Sequence, residues 1–160
     1  MILLTGTSGT VTVAEGSSLV LKTLSNANSD ITIAEGASAT ANKLTTTGGK
    51  LKISGSMSVK GDSTDATNKG VSLVKDNKTV VVTDKGFLEF GATAVGSMLT
   101  ADGTDLGNSL NGFTAGSIDL QTGGTVKFGF DSGVTLDSTD LKKLRGVFGV
   151  ASGSLTAGVL

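Results

Sequence analysis

Val11–Asp30 reads VTVAEGSSLVLKTLSNANSD, and the next twenty residues, Ile31–Lys50, read ITIAEGASATANKLTTTGGK. Aligned without a gap, Val11 meets Ile31, Val13 meets Ile33, and Ala14-Glu15-Gly16-Ser17 meets Ala34-Glu35-Gly36-Ala37. Two more lines of twenty extend the frame, LKISGSMSVKGDSTDATNKG over 51–70 and VSLVKDNKTVVVTDKGFLEF over 71–90. The first column then holds Val11, Ile31, Leu51 and Val71, and the third holds Val13, Ile33, Ile53 and Leu73. Between them stand Thr12, Thr32, Lys52 and Ser72. Apolar, polar, apolar is the two-residue period of a strand with one buried face.

A glycine-bearing corner follows that strand, where a tight turn asks for a positive-φ backbone. A second strand is expected around Leu19–Leu21, Ala37–Ala41, Met57–Val59 and Thr79–Val82. Leu24 and Leu44 agree in the fourteenth column, whereas Thr64 and Asp84 do not. Strand, corner and strand at a period near twenty fit one coil of a β-solenoid. The first half is therefore expected to be all-β, a parallel β-helix-like stack with Val11, Val13, Ile31, Ile33, Leu51, Ile53, Val71 and Leu73 as its inward ladder. Four such coils give an axis of roughly 19 Å at about 4.8 Å per strand spacing. The alternative is an antiparallel β-sandwich.

Past Phe90 the frame fades, and all six phenylalanines lie between Phe87 and Phe148. Strands are expected at Phe87–Phe90, Ser117–Leu120, Thr125–Phe130 and Val134–Leu136, with a long loop over 91–116. Ser138-Thr139-Asp140 has the form of a helix start, with Leu141, Leu144 and Phe148 on one face as a cap for the stack. The expected organisation is a repeat segment over 1–90 and a Gly- and Phe-containing β segment over 91–160, in one continuous domain.

Composition narrows the chemistry. Gly 24, Thr 23 and Ser 18 make up about two-fifths of the 160 residues, and His, Cys, Trp, Tyr and Pro are absent. A Ser-His-Asp or Cys-His nucleophile system cannot be built, nor a zinc, haem or iron–sulfur site with its usual ligands. With net charge −1 and Arg145 the only arginine, the chain offers no electrostatic footprint for nucleic acid. No stretch nears the roughly 18 apolar residues of a membrane span. Met1-Ile2-Leu3-Leu4 lacks the basic region of a signal peptide, so an exported origin implies an excised piece or release by lysis.

Carboxylates are the remaining acid–base groups. Asp62 with Asp65, Asp102 with Asp105, and Asp137 with Asp140 form close pairs. Paired acids hydrolyse glycosidic bonds in some folds, but these sit in Gly/Ser/Thr-rich stretches where Asp stabilises turns. Asp102 and Asp105, on the Gly-rich run 101–108, are the calcium candidates. No other cofactor and no catalytic residue is expected. Gly48-Gly49-Lys50 lacks the frame of a phosphate loop, and Asn77-Lys78-Thr79 is a formal glycosylation sequon.

Val11–Leu19 (VTVAEGSSL) and Ile31–Ala39 (ITIAEGASA) resemble the strand–turn units of bacterial autotransporter and adhesin passengers, over about residues 10–60. Surface-layer and phage structural proteins share this vocabulary, and the Phe-bearing second half departs from it. The resemblance implies an exported, cysteine-free solenoid at the cell surface. The expected function is a non-enzymatic structural or adhesive protein that associates with copies of itself, extracellularly or on the cell surface. Ile2, Leu3, Leu4, Val159 and Leu160 are the candidate subunit contacts. Further partners in this reading are a host surface, a carbohydrate or capsid proteins. One alternative is a virion component (head decoration, fibre or tail), and another is a carbohydrate-binding or carbohydrate-cleaving module.

Overall fold

The computed structural model describes residues 3–6, 9–26, 29–46, 48–64, 71–72, 80–99, 118–146, 148–151 and 154–159. Among these residues the architecture is all-β, with two short helices. The strands of the first half are β1 (Leu3–Gly6), β2 (Gly9–Val13), β3 (Ser18–Asn26), β4 (Ser29–Ile33), β5 (Ser38–Thr46), β6 (Leu51–Ile53), β7 (Ser56–Val59), β8 (Val71–Ser72), β9 (Val80–Val82) and β10 (Phe87–Phe90). Helix α1 (Ala92–Leu99) precedes β11 (Ile118–Leu120) and β12 (Thr125–Phe130). Helix α2 (Ser138–Gly146) precedes β13 (Phe148–Ala151) and β14 (Ser154–Val159).

The strands form two sheets. One runs β1-β3-β5-β7-β10-β12-β14 with β8 also on β5, and the other runs β13-β11-β9-β6-β4-β2. Every described pairing is parallel, unlike the alternative sandwich. Parallel neighbours need a crossover between them, and here the strand of the opposite sheet supplies it.

The alternation read from the sequence sets the register. Val11 lies opposite Ile31, and Ile31 opposite Leu51; Val13, Ile33 and Ile53 follow in the same way. Ile31, Ile33, Leu51 and Ile53 are at most 1% exposed, Val13 is buried, and Val11 packs half-buried against the same core. The fourth position belongs to Val80 and Val82, which pair with Leu51 and Ile53. Val71, expected there, instead pairs with Leu44 in the other sheet, continuing the column of Leu24 and Leu44. Leu73 lies outside the described residues. Residues 60–70, interposed between β7 and β8, slide the frame, and Val71-Ser72-Leu73 happens to repeat the alternation. For the same reason Val80–Val82 is the first strand of its repeat, where the spacing predicted the second.

Pairing does not stop at Phe90. Ser56 lies opposite Phe87, Phe87 opposite Thr125, and Thr125 opposite Ser154, so one network crosses both expected segments. The length between matched positions grows from 20 residues (Ser18 to Ser38) to 31 (Ser56 to Phe87), 38 (Phe87 to Thr125) and 29 (Thr125 to Ser154). This growth, not loss of the repeat, hides the period. The added residues all fall where the chain returns from the eight-stranded to the six-stranded sheet. Helices α1 and α2 lie in these returns, so the expected loop over 91–116 contains a helix. Val134–Leu136 forms no strand, with Val134 47% exposed. The helix expected from Ser138 is present, but it closes at Gly146 and Phe148 begins a strand.

Buried residues of both sheets make one core. It is thin in the second repeat, where Ala37, Ala39 and Ala41 face inward, and thicker later. There Phe90 and Phe128 stack at 5.7 Å and 15°. Ala94 and Val95 of α1 and Leu144 of α2 extend the core beside them, and α1 packs on β12 and α2.

Truncating Ile53 to Ala should destabilise the fold by about 2–5 kcal/mol in urea titrations, while Thr32→Ala should stay within about 0.5 kcal/mol. Glycines divide in the same way. A Cβ on Gly55 would lie 2.3 Å from the carbonyl oxygens of Ala34 and Ala37, whereas one on Gly96, inside α1, meets nothing within 4 Å. Gly55→Ala should therefore lower the midpoint, and Gly96→Ala should raise stability by about 0.5–1 kcal/mol. A Gly55→Ala variant as stable as the parent would refute the close stacking of the corners.

Candidate functional site

The corners from the six-stranded to the eight-stranded sheet share one plan. Residues 14–17, 34–37, 83–86 and 121–124 each close a turn, as in Ser17 N–H donating to Ala14 C=O at 3.0 Å and Ala37 N–H to Ala34 C=O at 3.0 Å. Each corner also bonds to its neighbour in the stack. Ala34 N–H donates to Val13 C=O (3.0 Å), and Thr83 N–H donates to Ile53 C=O (2.9 Å). Gly16 and Gly36 sit at φ 74° and 73°, where an L side chain would be strained.

The third corner breaks the plan. It is only Ser54-Gly55, two residues between β6 and β7. Its shortness leaves a notch between the fuller corners on either side, and Lys85 spans it to Glu35. Lys85 Nζ stands 2.8 Å from Glu35 Oε1, with both side chains about three-fifths exposed (60% and 62%). Hollows of about 360 and 370 Å³ lie beside this bridge, each lined by Glu35, Ser54 and Lys85. Lys52, Thr83, Asp84 and Gln121 complete the first. Ser38, Ser56 and Phe87 stand in the second. Thr83 Oγ1 is 3.1 Å from Ser54 Oγ, which orients hydroxyls at the notch floor. The Glu35 carboxylate, by accepting a hydrogen bond, raises the Lys85 ammonium above its ordinary pKa of 10.5. Its contribution to stability is thus complete below that pH and lost as pH rises through the raised value.

Sequence reasoning did not bring these residues together. The signal was present as a frame slip, since Ser38 is followed by Ser56 after 18 residues instead of 20. The column carries small hydroxyls at Ser18, Ser38, Ser56 and Thr125, with Phe87 the exception among them.

The carboxylates singled out earlier have local duties. Asp62 Oδ1 accepts from the backbone N–H of Thr64 (3.0 Å) and from its hydroxyl, and Lys43 Nζ lies 3.6 Å from Asp62 Oδ2. Asp137 Oδ1 accepts from the N–H groups of Thr139 (2.7 Å) and Asp140 (2.8 Å), while Asp140 Oδ2 accepts from Asp137 N–H (3.1 Å). That reciprocal pair caps the start of α2. Asp65, Asp102, Asp105 and Asn77 lie outside the described residues, as do Ile2 and Leu160. Leu3 and Leu4 fall in β1 and Val159 in β14, at opposite edges of the eight-stranded sheet. Among the described residues no three His, Cys, Asp or Glu side chains converge as for a metal, and no helix is long and apolar enough to cross a membrane.

Comparison with family models, with characterised proteins and with solved structures gave no match.

The Thr64 hydroxyl, then its N–H, then the Lys43 charge hold the Asp62 carboxyl below its ordinary 3.8. A depressed carboxyl stabilises the fold above its unfolded-state pKa and ceases to do so as pH falls through the folded one. NMR titration should place Asp62 below 3.8, with Thr64→Val moving it back towards that value. An unmoved pKa in that variant would remove the hydroxyl as the main cause.

Proposed function

We propose that the chain is a β-solenoid, parallel β-helix-like, that serves as a non-enzymatic structural or adhesive module and stacks end to end with copies of itself. A cell surface, an extracellular matrix and a virion place the same demands on such a module. Support for the solenoid comes from the alternation of strands between two parallel sheets with like residues in register.

The observation that carries the end-to-end reading is the distribution of charge over the strands. Seven interior strands hold a charged residue, Lys22 on β3, Asp30 on β4, Lys43 on β5, Lys52 on β6, Glu89 on β10, Asp119 on β11 and Lys127 on β12, while β7, β8 and β9 hold none. The strands at the sheet ends, β1, β2, β13 and β14, hold none. Free sheet edges are normally blunted by lysine, proline or a bulge, because unpaired N–H and C=O groups recruit other strands. Here the charges are kept off the ends.

The geometry of the β2 end agrees. β1 pairs with β3 only over Thr23–Asn26, so among the described residues no strand pairs with that edge of β3 over Ser18–Lys22, beside β2. An apolar hollow of about 340 Å³ opens there, against Val11, Val13 and Leu19. Strand β14 begins at Ser154, in the same column as Ser18 through Thr125, Phe87, Ser56 and Ser38. A second copy presenting β13 and β14 would extend both sheets in register, by strand addition.

Sedimentation velocity over a concentration series tests this. The parent chain should gain mass with concentration, and Thr10→Lys with Thr12→Lys on β2 should hold it monomeric. Thr40→Lys with Ser58→Lys, on interior strands, should associate like the parent. A parent chain that stays monomeric throughout, or β2 variants that associate unchanged, would end the proposal.

A further inference from the structure

We infer that the notch at the third corner is a binding site for a neutral saccharide, with Phe87 as its stacking platform. This stands apart from end-to-end association, which uses the sheet edges. Phe87 is the one aromatic exposed among the described side chains, at 36%, whereas Phe90, Phe128 and Phe130 are buried. It occupies an outward position whose neighbours in register are Ser56 and Thr125, so an apolar ring stands in a row of hydroxyls. A Ser or Thr would complete that row, so the row itself does not call for a ring.

The surroundings specify the ligand. The hollow of about 370 Å³ beside Phe87 falls within the roughly 300–1,000 Å³ of small-molecule sites. Its polar groups are Ser38, Ser54, Ser56 and the bridged pair Glu35 and Lys85. Across the whole notch Lys52 and Lys85 balance Glu35 and Asp84, leaving no net charge to draw an anion or cation. The bridge still leaves Lys85 with further N–H donors and Glu35 with a second acceptor oxygen, side by side. A ligand that suits this must be neutral, with an apolar face for the ring and adjacent hydroxyls that both donate and accept. A pyranose has that form, its C–H face lying on the aromatic ring and its rim reaching the ion pair. The third corner creates the space because it lacks two residues relative to the corners on either side. Neither Asp62 nor the α2 cap contributes to the site.

Two-dimensional amide NMR of the full chain, titrated with cello-, chito- and manno-oligosaccharides at millimolar concentrations, tests the assignment. At least one series should shift Ser38, Ser56, Lys85 and Phe87 together and leave Val20, on the same sheet face, in place. Phe87→Ala should weaken that binding about tenfold or more with an unchanged circular dichroism spectrum, and Lys85→Ala should weaken it with Phe87 intact. Phe87→Leu provides a second variant that keeps an apolar side chain and removes the flat ring. No shift from any of the three series, stronger binding of a uronic-acid oligosaccharide, or equal affinity of the Phe87→Ala and Phe87→Leu variants with the parent would overturn the inference.

Discussion

Everything in this fold depends on corner N–H groups reaching carbonyls of the neighbouring repeat. Ala34 donates to Val13, Ser54 to Ile33, Thr83 to Ile53 and Gln121 to Val82, all between 2.9 and 3.0 Å. These bonds cannot form unless each corner lies directly on the last. Once they do, the flanking strands are in parallel register, and like positions stack on like. A one-residue slip would turn Ile33 and Ile53 outward and Thr32 and Lys52 inward, so burial and corner bonding enforce the same answer. The local hydrogen bond and the hydrophobic pattern are consistent, which is what makes so short a repeat specific.

The unusual composition follows from this stacking. Backbones that approach closely leave no room for side chains at the bends, and a Cβ on Gly86 would lie 2.1 Å from Ile53 C=O. Outward rows bear Ser and Thr because neighbouring repeats repeat their side chains, and like charges one above another repel. Part of the charge that does occur is paired across repeats, as with Lys127 Nζ and Glu89 Oε1 at 2.9 Å. Inside, a repeat with little material between its sheets needs Ala, and one beside inserted helices holds Phe. Small residues are thus the consequence of a ladder, not of a solvated chain.

Val11 to Ile53 was legible because three repeats keep one frame, and Ala-Glu-Gly marks two of the corners. The place of Val71 is not legible, because burial patterns carry no memory of inserted length. Alternating residues after an insertion look the same whichever sheet they join. α1 was hidden because Ala92–Leu99 carries Gly96 and no charged residue to show a polar face. α2 was legible through its cap, since Asp137 and Asp140 mark a helix start chemically and not by periodicity. The notch was illegible for a different reason. It is made by residues missing from one repeat, and its lining comes from four repeats whose distance in sequence, fifty residues between Glu35 and Lys85, has no pattern.

The two margins of the stack differ in what they tolerate. On one, each described bend is bound to the bend before it, four of them are four residues long, and the departure of two at Ser54-Gly55 opens a cavity. On the other, returns of very different length are accommodated, because the strands on either side of each insertion still pair in register. α1 and α2 exploit that freedom by packing on each other and adding Ala94, Val95 and Leu144 to the core where Phe90, Phe128 and Phe130 need cover. Variation there can change bulk without disturbing the ladder. Variation at the tight margin changes the surface at fixed coordinates, since the neighbouring corners stay where their hydrogen bonds hold them. A site made by shortening such a corner is therefore preorganised: its walls are two intact corners, and no loop need close to form it. That rigidity is the physical link between the corner bonds and the notch, and it places recognition on the margin where the backbone has least freedom to move.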